Sequence, residues 1–95
     1  MEAINKISRF SVKKDQKQLK GWKIKNKKLY KEFKFKDFKE TLKFVNKIGQ
    51  VAEKQGHHPD IYFTWGKCNI EIYTHSIKGL SQNDFILASK IDKIH

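Results

Sequence analysis

The chain has 95 residues, 21 of them basic and 10 acidic, for a formal charge of +11. That length fits one domain, residues 1–95, and one modest core; aromatic residues make up 13% and are spread along the chain, which argues against disorder. One Cys, Cys68, excludes an intrachain disulfide, and no run approaches the roughly 20 apolar residues of a membrane helix. The opening MEAINKISRF lacks the apolar stretch of a secretory leader, so the cytoplasm is the expected location. Residues 11–20 predict a short helix, with Ser11 as its N-cap, Val12 and Leu19 inward and Gly21 as its stop. Trp22 and Ile24 alternate with lysines, Lys25-Asn26-Lys27-Lys28 reads as a turn, and Leu29, Phe33 and Phe35 follow. Period two with aromatics predicts a hairpin with one wet face.

From residue 37 the period changes. Phe38, Leu42, Val45, Ile48 and Ala52 form one stripe of an amphipathic helix over 37–55. Asp37 is its expected N-cap, with Glu40 as capping-box partner, and Gly56 its C-terminal stop. Residues 61–65 predict a strand, Gly66-Lys67 a two-residue turn, and 68–75 a strand with Cys68, Ile70, Ile72 and Thr74 on one face. Ser81 and Asp84 then have the spacing of a capping box before a helix carrying Phe85, Leu87, Ala88, Ile91 and Ile94. The order is α-β-β-α-β-β-α. It predicts an α+β fold: a four-stranded antiparallel sheet with helices packed on one face.

The charge is uneven. Residues 1–47 hold 16 basic and 5 acidic side chains, the whole net +11, while residues 48–95 hold 5 of each. Such a face attracts phosphate-rich partners. Yet Arg9 is the only Arg, and Arg is the better reader of bases and phosphates. A solvated lysine surface is the simpler reading, and nucleic acid is not expected as a partner.

Four His occur, and His95 is set aside as a fraying end. His57-His58-Pro59 follows the long helix, and His75 ends the expected fourth strand. Pairing through a Gly66-Lys67 turn would bring residue 62 near 71 and the His57-His58 loop toward His75. Glu53 lies one turn before His57, and Asp84 a short loop beyond His75. The plain structural readings stand beside this: Glu53 as a surface acid, Asp84 as a helix-start charge, Tyr62, Trp65 and Tyr73 as sheet packing, Cys68 as core. Zinc is disfavoured, since adjacent His on an extended segment diverge and the H-E-x-x-H and H-x-x-x-H spacings are absent. No Gly-rich phosphate loop or nucleophile elbow occurs. What remains is imidazole acid–base chemistry, suited to elimination or addition of water.

The motifs Ala52-Glu53-Lys54-x-x-His57-His58-Pro59-Asp60 and Thr74-His75-x-x-x-Gly79-Leu80-Ser81-x-x-Asp84 resemble those of pterin-4a-carbinolamine dehydratase, a family that includes the dimerization cofactor of a homeodomain transcription factor. Gly21-Trp22, Phe33-x-Phe35-x-Asp37-Phe38 and Leu87-Ala88 agree, and the likeness runs over residues 11–93. Trp65-Gly66-Lys67-Cys68 departs from the common Tyr-Asn-x-Val.

The resemblance implies helices on one face of a four-stranded sheet, and a homodimer or homotetramer in which sheets pair across subunits. It implies no metal and no cofactor, the pterin being the substrate. The implied reaction is loss of water from 4a-hydroxytetrahydropterin to quinonoid dihydropterin, recycling the pterin of an aromatic amino acid hydroxylase. His57, His58 and His75 would be the catalytic residues, with acid and base roles unassigned. Pro59 would hold the loop, and the backbone of residues 74–77, with Thr74, Ser76 and Ile77, would meet the pyrimidine edge. Glu53 and Asp84 would orient imidazoles. The alternative is a non-enzymatic binding module, either a transcription-factor dimerization cofactor or a weak nucleic-acid binder through the lysine face.

Overall fold

A computed structural model of the chain describes residues 20–95. The helix expected over 11–20 lies outside these residues, apart from Lys20. The described elements are β1 (Lys23–Lys25), β2 (Lys28–Lys34), α1 (Phe38–Gln55), β3 (Asp60–Thr64), β4 (Lys67–Ile72), a 3-10 turn (His75–Ile77) and α2 (Gln82–Ile94). The strands form one antiparallel sheet in the order β1-β2-β4-β3.

The first hairpin turns at Asn26 and Lys27, both left-handed with φ 53° and 63°. Positive φ at both central residues matches the right-handed twist of the strands on either side. Registers Leu29↔Ile72 and Phe33↔Cys68 then put the apolar side chains of β2 and β4 on one face. That face meets Phe44 and Ile48 of α1 and Leu87 and Ile91 of α2 in a single core. The opposite face carries Lys28, Glu32, Asn69 and Glu71. Trp22 closes the core edge. Its indole N–H donates to the Asp92 carboxylate at 3.1 Å, and Lys31 reaches the same carboxylate at 3.0 Å while passing 4.8 Å above the Phe33 ring.

α1 has the expected caps. Asp37 Oδ1 accepts the Glu40 N–H at 2.8 Å, and Gly56 is left-handed with φ 65°. Glu40 does not complete a capping box; it pairs with Lys36 at 3.5 Å. The buried stripe is also rotated from the expected one. Thr41, Phe44, Ile48 and Ala52 are buried, whereas Phe38 and Leu42 are exposed. Thr41 tolerates burial because its hydroxyl lies 2.8 Å from the Asp37 carbonyl and 3.0 Å from that of Trp65. That bond turns the helix by seating its first turn on the second hairpin.

The second hairpin is shifted as well. Its two-residue turn is Trp65-Gly66, so Tyr62 faces Asn69 and Glu71 faces Asp60. The Gly66 carbonyl accepts the Phe35 N–H at 2.8 Å, and a Cβ on Gly66 would lie 2.8 Å from the Phe35 carbonyl oxygen. The turn therefore sits where only glycine fits against the end of β2. β4 stops at Ile72 and not at residue 75, because Thr74 bridges to Gly79 instead of continuing the ladder. His95 does not fray: its ring lies 5.0, 5.5 and 5.6 Å from those of Phe33, Phe35 and Phe44.

Cys68 is fully buried at the centre of this core, and burial pushes its thiol up to about 11. The reactive form is the thiolate, so the residue is protected twice, by access and by protonation. In the native protein it should resist a chromogenic disulfide reagent at about pH 8 and react fully only after denaturation. Rapid native labelling would mean that the β4 region opens readily.

Candidate active site

The site is built where the C-terminal end of α1, the β4 exit and the start of α2 meet. The α1 stop bends the chain sharply. The Gly56 N–H donates to the Glu53 carbonyl at 3.3 Å and the His57 N–H to that of Ala52 at 3.2 Å. This returns His57 under the helix end, half-buried, while His58 emerges into solvent and Pro59 leads into β3.

Asp84 lies fully buried in the first turn of α2. Its Oδ1 lies 2.5 Å from His57 Nε2. Its Oδ2 accepts the Ser81 N–H at 2.7 Å and the Thr74 hydroxyl at 2.8 Å. Thr74 and Ser81 hydroxyl oxygens are 2.8 Å apart, so Ser81 donates to Thr74 once Thr74 donates to Asp84. One carboxylate thus caps a helix, closes a loop and holds an imidazole. With Asp84 as acceptor, a neutral His57 carries its proton on Nε2 and its lone pair on Nδ1.

His58 uses a different acid. Its Nε2 is 2.5 Å from Glu53 Oε2, but both side chains are open to water, at 62% and 78% exposure. Such a pair orients more than it stabilises. His75 opens the 3-10 turn, exposed, with its ring edge-on to Tyr73 at 4.9 Å. Ser76 is exposed and Ile77 half-buried in the same turn.

The loop from 74 to 79 is closed by its own backbone. The Thr74 N–H donates to the Gly79 carbonyl at 3.0 Å, and the Thr74 carbonyl accepts from Ile77 at 3.3 Å. Thr74 is therefore committed internally, and it supports the loop instead of offering its N–H to a ligand. Among the described residues, no three His, Cys, Asp or Glu side chains gather as a metal-binding group. The structure links His57 to the His75 loop through Asp84 and Thr74, and it ties His58 separately to Glu53.

Sequence reasoning did not give Tyr73, Thr74 Oγ1 or Ser81 Oγ these contacts. A signal existed for Thr74: it is the one hydroxyl residue on an inward row otherwise made of Cys68, Ile70 and Ile72.

The network should show in stability. Asp84→Ala leaves a hydroxyl, an N–H and an imidazole without their acceptor, and should lower the unfolding free energy by about 3–5 kcal/mol in urea titrations. Glu53→Ala, at an exposed pair, should change it by at most about 0.5 kcal/mol. Equal effects would contradict the division between a buried and a surface acid.

Comparison with known proteins follows the same residues. Residues 5–94 match the family model described as pterin 4 alpha carbinolamine dehydratase. A relative in Alkaliphilus metalliredigens named for that dehydratase is 56% identical over 73 residues, covering 76% of this chain. The match spans 66% of that relative, just under two thirds of its length. A crystal structure described as a transcriptional coactivator/pterin dehydratase from Brucella melitensis superposes with a TM-score of 0.90 at 27% identity, covering 95% of this chain and 98% of that one. A pterin dehydratase-like protein identified as a RuBisCO assembly factor in the alpha-carboxysome superposes with a TM-score of 0.63 at 23% identity, over 76% and 83% of the two chains, and shares the fold.

Proposed function

Because the chain belongs to the pterin-4a-carbinolamine dehydratase family, we propose that it removes water from a 4a-hydroxytetrahydropterin, with His57, His58 and His75 carrying the proton transfers. The observation that carries this reading is the His57 imidazole fixed by the buried Asp84, one loop from His75.

The elimination breaks the C4a–O bond and the N5–H bond and forms a C4a=N5 double bond. An acid delivers a proton to the departing hydroxyl, and a base takes the N5 proton. The balance is one molecule of water, with no change of oxidation state, so the step calls for no cofactor. An imidazole can serve either role near neutrality. Asp84 orients His57 and stabilises the charge it gains on accepting a proton. Glu53 does the same for His58 in a wetter setting. His75 is exposed in the 3-10 turn that follows Thr74, and Ser76 and the Ile77 carbonyl in the same turn would offer backbone groups to the pyrimidine ring. Pro59 fixes φ beside His58 and limits the drift of that imidazole. Forming the quinonoid product would recycle a pterin that an aromatic amino acid hydroxylase has spent.

The reading is tested by generating the carbinolamine in a stopped-flow cell and following its ultraviolet decay. Wild type should accelerate the decay, and His58→Ala and His75→Ala should each lower the rate on the order of 10²-fold while keeping the native circular dichroism. His57→Ala is the poorer probe, since it also removes a partner of buried Asp84. Full activity in the His58 and His75 variants would remove both from the mechanism. No acceleration by folded wild type would favour a non-catalytic role, of the coactivator or assembly kind that the relatives' descriptions name.

Copies of the chain are proposed to pair through β3. This strand is a sheet edge among the described residues, and its surroundings are apolar: Tyr62 and Trp65 are 71% and 66% exposed, and Phe38 stacks on Phe63 at 6.0 Å. Light scattering after gel filtration should give a dimer or tetramer mass, and Phe63→Lys should shift it toward the monomer. A monomeric wild type would reject the pairing. No described helix is long and apolar enough to cross a membrane.

A further inference from the structure

The lysines of α1 are not spread evenly around it. Lys39, Lys43 and Lys47 are exposed, stand four residues apart and have no carboxylate partner among the described residues. That spacing puts them on one side of the helix, each about 6 Å of rise from the next. They wall an open groove of about 450 Å³ that runs between α1 and the last turn of α2. Phe35, Phe44 and His95 line it as well. His95 is exposed, and three phenylalanines fix its ring. Two acids face the groove, Asp37 and Glu40, and both are engaged, one with the Glu40 N–H and the other with Lys36.

We infer that this groove binds a single-stranded nucleic acid, with successive phosphates along Lys39, Lys43 and Lys47 and a base against His95. A row of cations beside a fixed ring is the combination that single-strand binders use. The groove has lysines and no arginine. Lysine neutralises phosphate as a point charge and reads no base edge bidentately, so binding is expected to be independent of sequence. Composition alone did not favour nucleic acid; the alignment of unpaired lysines with a held ring is what changes the balance. The groove stops at Lys47, more than one helical turn before Glu53, and is separate from the histidine site. The inference does not depend on the dehydratase reading.

The test is fluorescence anisotropy of labelled decathymidylate at about 50–200 mM salt. Neutralising three phosphates predicts a slope of log K against log salt of roughly −2. Replacing Lys39, Lys43 and Lys47 together by Gln should cost about tenfold at the low-salt end and flatten the slope. Replacing exposed Lys23, Lys67 and Lys90 by Gln removes the same charge elsewhere and should leave the slope intact. His95→Ala should weaken decathymidylate while leaving inorganic polyphosphate unchanged. Equal losses in the two triple variants would reduce the effect to net charge and overturn the groove. Equal competition by polyphosphate or by poly-glutamate would overturn a nucleic-acid ligand.

Discussion

A carboxylate taken out of water must be repaid in hydrogen bonds, and Asp84 receives three kinds. An imidazole, a hydroxyl and a backbone N–H converge on it inside the protein. Each of these donors belongs to a different segment. Ser81 starts α2, Thr74 closes the loop after β4, and His57 follows α1. An isolated buried charge would be strongly unfavourable, so the three segments are held at one mutual geometry. The placement of His57 and of the loop bearing His75 follows from that constraint.

Local signals in the sequence predicted local structure well. Asn26-Lys27 marked the first hairpin, Asp37 and Gly56 bounded α1, and the Ser81 and Asp84 spacing marked the start of α2. These depend on backbone chemistry within a few residues. What failed were relations between elements. Apolar residues occur on two faces of α1, and periodicity alone could not say which met the sheet. The answer came from Thr41, a polar residue that counts against burial until its bonds to Asp37 and Trp65 are seen. The second turn was displaced by one residue because Gly66 is needed against Phe35, a contact 31 positions away that no local rule contains. His95 was dismissed for its position, while its ring finds three phenylalanines.

The candidate site divided in the same way. The motif residues were all visible, and Asp84 was recognised as a cap and as a possible partner of an imidazole. The hydroxyl pair behind it was not, because Thr74 was read for its backbone and Ser81 for its capping role. The expected approach of the two His segments rested on a hairpin register that proved wrong. Their connection runs instead through Asp84 and Thr74, on the core side of the sheet. Residues that the structure does connect, His57, Thr74 and Asp84, were thus named through a partly mistaken geometry.

Among the described residues, the two edges of the sheet differ in kind. β1 reads Lys23-Ile24-Lys25, whereas β3 has no lysine between Asp60 and Thr64. Lysines on an edge discourage another strand from adding to it. If two copies join at β3 about a twofold axis, the outer edges of the combined sheet are both β1, and both are guarded. Addition can therefore happen once and then has nowhere to continue. The asymmetry would allow a finite pair of sheets while denying the open-ended stacking that leads to fibres.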